Sequence, residues 1–312
     1  MTLPPTAKRY PSVIMGTCVV PWTEALAFDE RAFRAQVRDL AGALTRHLYV
    51  FGTAGEGYAV TESQFEKVSR AFLEESAAAG VEAMVGVISL SLPTIIERIE
   101  RARGWGARRF QLSLPSWGAL NDRELEVFFR ETCGRFRDCE FMHYNLQRTK
   151  RLVTPAEYAR LAEEHSNLVG TKNTRDDEVF LTELLTVAPQ LQHFLGESGY
   201  MRMRDRFECG LLISLAAIHA DRAQAFFAAR GDLLQQMNQE LRPALTALKE
   251  AVGPEAHIDG AYDKLIYKLR VPSFPLRLLP PYNSADEQTA LDRFRAGLDR
   301  LAPTWVGGRN PG

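Results

Sequence analysis

The sequence predicts an α/β protein of the (β/α)8 TIM-barrel class, with additional C-terminal helices. Three observations predict it. Short β-rich runs alternate with amphipathic stretches along most of the chain. Eight strand–helix units can be read from that alternation, which is the arithmetic of a (β/α)8 barrel. The strands are mostly continuous apolar runs, as burial on both faces requires. An open doubly wound sheet is the rival reading; the strand count favours closure.

The strands are expected at 13–20, 47–51, 83–88, 109–114, 140–145, 168–173, 191–195 and 210–215. The helical patterns between them run over 29–44, 62–79, 93–105, 122–136, 155–165, 177–187, 200–207 and 220–229. Thr61 before Glu62 and Thr154 before Pro155 read as N-cap and N1 pairs. Gly80 and Gly104 stand where glycine commonly ends a helix. After about residue 231 the β signal stops, and 233–252, 257–269 and 285–301 read as helices separated by Gly253-Pro254 and by a proline-rich loop from Pro272 to Pro281. The expected organisation is a barrel over 1–230 and a helical extension over 231–312. That extension either packs on the barrel or supplies a subunit interface.

Bulk composition excludes several function classes. The chain has 312 residues, 46% hydrophobic and 25% charged, with a net charge of -1. Such a balance offers no basic field for nucleic acid or an anionic membrane. The basic run Arg98, Arg101, Arg103, Arg108 and Arg109 lacks a stacking platform and reads as a solvated helix face. Cysteines 18, 133, 139 and 209 form no C-x-x-C pair, and reduced, buried thiols in a cytoplasmic protein are expected. Residues 1–12 carry no apolar h-region, so no signal peptide is read, and 307–312 read as a frayed tail. No apolar run is long enough to span a membrane. Six scattered histidines show no H-x-x-x-H spacing, so no metal is expected. Gly196-Glu197-Ser198-Gly199 does not make a hydrolase elbow.

Barrel enzymes place their chemistry at the C-terminal ends of the strands, and three positions there stand out. Lys172 closes the sixth strand. Alternation puts Leu168, Gly170 and Lys172 on one face. If that face is the interior, desolvation favours the neutral amine, which can attack a ketone and form an imine. The bland reading is a snorkelling or ion-paired lysine. Tyr144 closes the fifth strand, where a phenol can relay protons or simply line the barrel. Phe51-Gly52-Thr53-Ala54-Gly55-Glu56-Gly57 follows the second strand; its backbone N–H groups suit a small anion, or it is a plain glycine-rich turn. Together these suit imine chemistry at a 2-oxo acid. His143 should face the helices.

With those residues in view, the chain resembles the dihydrodipicolinate synthase / N-acetylneuraminate lyase family of pyruvate-dependent class I aldolases. Gly52-Thr53-Ala54-Gly55-Glu56 is similar to its G-[ST]-T-G-E loop, Tyr144-Asn145 to its Tyr-Asn pair, and Gly170-Thr171-Lys172 to its G-x-K. Val20-Pro21-Trp22 and Gly210-Leu211-Leu212-Ile213-Ser214 resemble the endings of strands one and eight. The resemblance implies that Lys172 is the Schiff-base lysine, Tyr144 the proton relay, and Thr53 the residue that orients Tyr144. It implies that the N–H groups of Thr53 and Ala54 hold the pyruvate carboxylate, that Gly52 belongs to the same substrate-binding loop, and that Ile213 lines the pocket. It also implies a homo-oligomer, tetramer or dimer, with no metal or organic cofactor.

Departures from the family pattern bear on the second substrate. Ala54 replaces a threonine. Leu114-Pro115-Ser116-Trp117 stands where dihydrodipicolinate synthases carry a Tyr-Tyr pair, Arg148 comes one residue early, and Asn173 follows the lysine in place of the common Glu. Trp117, Ser116, Arg148, Asn173 and the loop 197–200 are the expected readers of the second substrate. The activity so implied is aldol cleavage or condensation of pyruvate, or a larger 2-oxo acid, with an aldehyde or sugar acid. Dehydration of a 3-deoxy-2-oxo sugar acid through the same imine is the near alternative. A non-catalytic 2-oxo-acid-binding protein is the alternative of another class. The features point away from a typical dihydrodipicolinate synthase.

Overall fold

The computed structural model describes residues 7–306. The tail expected at 307–312 and the first six residues lie outside the described residues. Eight parallel strands close into a barrel in chain order. They are β1 Ile14–Cys18, β2 His47–Val50, β3 Glu82–Gly86, β4 Arg109–Leu112, β5 Glu140–Asn145, β6 Leu168–Asn173, β7 Gln192–Leu195 and β8 Gly210–Leu212. The helices between and after them are α1 Glu30–Ala43, α2 Glu62–Ala79, α3 Leu92–Gly104, α4 Asp122–Phe129, α5 Pro155–Glu164, α6 Glu178–Val187, α7 Glu197–Met203 and α8 Ala220–Ala228. Three more follow: α9 Gly231–Val252, α10 Asp259–Arg270 and α11 Ala290–Leu301.

The expected starts are built as capping boxes. Thr61 accepts from the Gln64 amide while the Gln64 side chain returns to the Thr61 amide, and Thr154 and Glu157 repeat the exchange ahead of α5. Each satisfies amide donors that the first helical turn leaves orphaned. α2 ends at Gly80 in the left-handed conformation. Some boundaries differ from expectation. The helix expected to 136 turns from α4 into a π-type turn, Arg130–Gly134. The eighth strand stops at Leu212, and Ser214 turns the chain into a 3-10 segment, Leu215–Ile218. α11 begins at Ala290 rather than 285 because Asp286 Oδ1 accepts from the amides of Gln288 and Thr289, holding that stretch as a turn.

The chain forms two compact units. Among the described residues, one holds 7–15 with Ala83–Leu212; the other holds Gly16–Glu82 with 213–306, including α9, α10 and α11. In the second unit, Phe33 and Val37 of α1 and Phe65, Val68 and Phe72 of α2 are fully buried. There the rings of Phe51 and Phe65 stack at 5.3 Å.

In the first unit, the outward face of β6 carries a directed polar chain. Asn173 Nδ2 donates to Thr171 Oγ1 at 2.7 Å, and Thr171 Oγ1 lies 2.8 Å from His193 Nδ1. His193 Nε2 lies 2.9 Å from the Ala188 carbonyl, which can only accept. The proton therefore sits on Nε2, and Nδ1 accepts from the threonine. His143 on β5 likewise faces a helix, with Nδ1 2.7 Å from the Tyr158 hydroxyl of α5. Burial pushes both imidazoles down to about 3.

The unfolded chain takes up these protons near pH 6.5, so stability is complete above that and declines as the pH falls toward 3. The slope is about 1.4 kcal/mol per pH unit for each histidine. Urea unfolding should therefore give a clearly lower midpoint at pH 5 than at pH 7, and His193→Asn should flatten that difference. Identical midpoints at the two pH values would contradict buried, neutral imidazoles.

Candidate active site

With Thr171, Asn173 and His143 turned toward the helices, alternation turns Lys172 and Tyr144 the other way, into the barrel. The β5–β6 register pairs Tyr144 with Lys172 directly. Each side chain is only 4% exposed, and Lys172 Nζ lies 4.0 Å from the centroid of the Tyr144 ring. One row below, Met142 pairs with Gly170. A Cβ at Gly170 would stand 2.6 Å from the Gln192 carbonyl oxygen. Any side chain there would push β6 and β7 apart, so the glycine preserves both the strand pairing and the space beneath the amine.

Asn145 closes the strand and clamps the loop beyond it. Its Nδ2 donates to the Val153 carbonyl and its Oδ1 accepts from the Val153 amide, both at 2.9 Å. The clamped loop contains a 3-10 turn, Gln147–Thr149, on which Arg148 is exposed. Lys150 Nζ reaches from this loop to the Trp117 carbonyl at 2.7 Å. The Trp117 indole itself is 83% exposed.

In the other unit, Gly52, Thr53 and Ala54 are buried in the loop after β2. The turn's own hydrogen bonds use the amides of Glu56 and Gly57, not those of Thr53 and Ala54. The turn is tight: a Cβ at Gly57 would stand 2.3 Å from the Phe51 carbonyl oxygen. Glu56 is fully buried and holds the loop by three contacts. Its carboxylate accepts from Trp22 Nε1 at 2.9 Å, from the Leu279 amide at 2.7 Å, and from Lys264 Nζ of α10 at 2.6 Å. Lys264 also donates to the Arg277 carbonyl. Burial draws the Lys264 amine below the ordinary lysine range, offset in part by the Glu56 carboxylate. Ile213, just past β8, is buried beside a cavity of about 40 Å³ that Thr17, Val19 and Tyr267 also line.

A buried lysine–tyrosine pair at the C-terminal ends of adjacent barrel strands, with a tight glycine-rich loop after the second strand, matches the resemblance drawn from the motifs. Residues 10–252 match the Dihydrodipicolinate synthetase family. The chain belongs to that family.

As a member of the dihydrodipicolinate synthetase family it is an aldolase-type lyase. The 4-hydroxy-tetrahydrodipicolinate synthase of Exiguobacterium sibiricum is 23% identical over 268 residues, 84% of this chain and 90% of the relative. That of Brucella abortus is 28% identical over 156 residues, 50% of this chain and 53% of its own. Among solved structures, the E. coli K12 prophage protein YagE, in complex with pyruvate, superposes with a TM-score of 0.77 at 19% identity, covering 93% of this chain and 98% of its own. The dihydrodipicolinate synthase of Cyanidioschyzon merolae with lysine bound gives 0.79 at 17% identity, covering 94% and 99%. The low identities agree with a member that is not a typical dihydrodipicolinate synthase.

Some residues of interest escaped the sequence reading. Lys264 and Glu56 are 208 positions apart, and the only local sign was a lysine sharing a helix face with Ala261 and Leu265. Gln111 and Ser113 were missed too, although two polar residues at i and i+2 break the apolar run expected over 109–114. Among the described residues no group of three or more His, Cys, Asp or Glu is arranged to hold a metal. No helix among them is long and apolar enough to cross a membrane.

Lys264→Met should leave the Glu56 carboxylate buried without its cation and lower the unfolding free energy by about 3–5 kcal/mol. The double variant Glu56→Gln/Lys264→Met should recover part of that loss in denaturant titrations. A double variant that loses the sum of both single losses would exclude a coupled pair.

Proposed function

We propose that this lyase joins pyruvate to an aldehyde, or cleaves the corresponding larger 2-oxo acid, through a Schiff base on Lys172. The observation that carries the proposal is the buried Lys172 amine 4.0 Å over the Tyr144 ring. An amine held out of bulk water at the end of a barrel strand is placed as the nucleophile that imine formation needs. A neighbour of the same fold was solved with pyruvate bound, which supports the choice of 2-oxo acid.

In this mechanism Lys172 Nζ adds to the C2 carbonyl, and the carbinolamine loses its oxygen as water. The Tyr144 hydroxyl delivers the proton that oxygen needs to leave, and Thr53 orients the phenol. The amides of Thr53 and Ala54 hold the carboxylate within the loop that Gly52 opens, and Ile213 packs against the pyruvate carbons. Loss of a C3 proton gives the enamine. Its C3 attacks the aldehyde carbon, and water then releases the product and restores the amine. We assign Trp117 and Arg148, on the loops after β4 and β5, to the distal part of the second substrate. We place the chain in a cytoplasmic homo-oligomer, dimer or tetramer, for which the exposed Leu90 and Val179 of the first unit offer apolar contact surface.

Borohydride reduction in the presence of pyruvate, followed by peptide mapping, tests the reading. The expected adduct lies on Lys172 and is lost in Lys172→Arg. An adduct on another lysine, or none, overturns the assignment. Tyr144→Phe should lower kcat by about 10²–10⁴-fold while an adduct on Lys172 still accumulates on long incubation. Release of pyruvate and an aldehyde from a larger 2-oxo acid distinguishes cleavage from loss of water with the carbon skeleton retained.

A further inference from the structure

The loop after β2 holds its shape against a local cost. Phe51 and Glu56, at its two ends, both stand in the left-handed backbone region, with φ of 63° and 58°. That region crowds the Cβ of an L residue, and such residues persist only where the surroundings over-determine them. At Phe51 the ring is stacked on Phe65. At Glu56 the surroundings are the three donors on its carboxylate. Oε2 accepts from Trp22 Nε1 and Lys264 Nζ, and Oε1 accepts from the Leu279 amide. Lys264 and Leu279 belong to α10 and the loop beyond it, 208 and 223 positions along the chain.

Between those two ends lie Thr53 and Ala54, whose amides the turn's own bonds leave unused. The Thr53 and Gly52 carbonyls accept from the Glu56 and Gly57 amides, so the direction of the Thr53 and Ala54 N–H groups depends on where Glu56 stands. α10 limits the turn from another side: a Cβ at Gly260 would stand 3.1 Å from the Ala54 carbonyl oxygen and 3.5 Å from Glu56 Cγ. Backbone amides make an anion site only when they converge on it, and a misplacement of about 1 Å can cost about a hundredfold. Lys264 is 0% exposed. An apolar side chain there, with an uncharged partner at 56, would avoid the cost of desolvating two ions.

We propose that Glu56 and Lys264, together with the Trp22 indole, are positioning residues for substrate binding. They hold the Thr53 and Ala54 amides converged on the carboxylate of the 2-oxo acid, so α10 sets the affinity for that carboxylate and not the rate of imine formation. This rests on the reading of the loop as the carboxylate cradle.

The test follows the initial rate of borohydride trapping on Lys172 in the full chain against the concentration of pyruvate and of pyruvamide, a ketone of similar shape without the negative charge. The wild type should half-saturate at a clearly lower concentration of pyruvate than of pyruvamide. Lys264→Met should raise the pyruvate value by about tenfold or more. It should leave the pyruvamide value and the trapping rate at saturation within about twofold. The double variant Glu56→Gln/Lys264→Met, which removes the unpaired charge, should recover part of the rise. Trp22→Phe keeps a ring and removes one N–H donor; it should shift pyruvate in the same direction by a smaller factor, and it carries the test if Lys264→Met does not fold. Values for the two ketones that rise together, or a lower rate at saturation with unchanged half-saturation, mark a purely structural pair and overturn the inference. A wild type that traps pyruvate without distinguishing it from pyruvamide overturns the cradle, and the inference with it. Absence of trapping overturns the Schiff-base reading beneath both.

Discussion

A buried ion pair sets the terms for the loop after β2. Glu56 and Lys264 are both removed from water, and their side chains meet at 2.6 Å. Two charges in that setting are tolerable only when paired and saturated with hydrogen bonds. The carboxylate is saturated by Trp22, Leu279 and Lys264, so the loop is pinned to three separate stretches of chain. The turn that carries Thr53 and Ala54 thus owes its shape to α10 and to the proline-rich loop, far along the sequence. A Cβ at Gly260 would stand 3.1 Å from the Ala54 carbonyl oxygen, so α10 lies directly against the turn it holds.

β6 solves a different problem in the first unit. A strand buried on both faces is usually apolar on both, yet this one carries Thr171, Lys172 and Asn173 in succession, all buried. The outward pair is linked in sequence to His193 and the Ala188 carbonyl through Asn173 Nδ2 and Thr171 Oγ1, while Asn173 Oδ1 has no partner among the described residues. That chain fixes which face of the strand is outward, and so it sends Lys172 inward beside Tyr144. Gly170 and the β5–β6 register then determine how much room the amine has. Gln111, paired with Met142, brings further polarity to the same face on β4, where an apolar barrel lining would otherwise be expected.

Much of this was legible in one dimension. Alternation and strand spacing specified the barrel and the order of its elements, and they placed His143 toward a helix. The capping residues Thr61 and Thr154 marked helix starts because those contacts are local. The motifs around Gly52–Glu56, Tyr144 and Lys172 marked the family. Boundaries were missed where a single side chain overrode the pattern, as Asp286 does ahead of α11.

The sequence by itself determined the barrel, the family, and which residue types stand at the strand ends, because these follow from short-range periodicity and short motifs. Only the tertiary structure decided that Lys264 neutralises Glu56, that Trp117 faces solvent, and that Gln111 sits buried and unpartnered beside Met142. Those facts depend on burial and on pairing between distant segments. Both are properties of the closed fold, which local patterns along the chain do not encode.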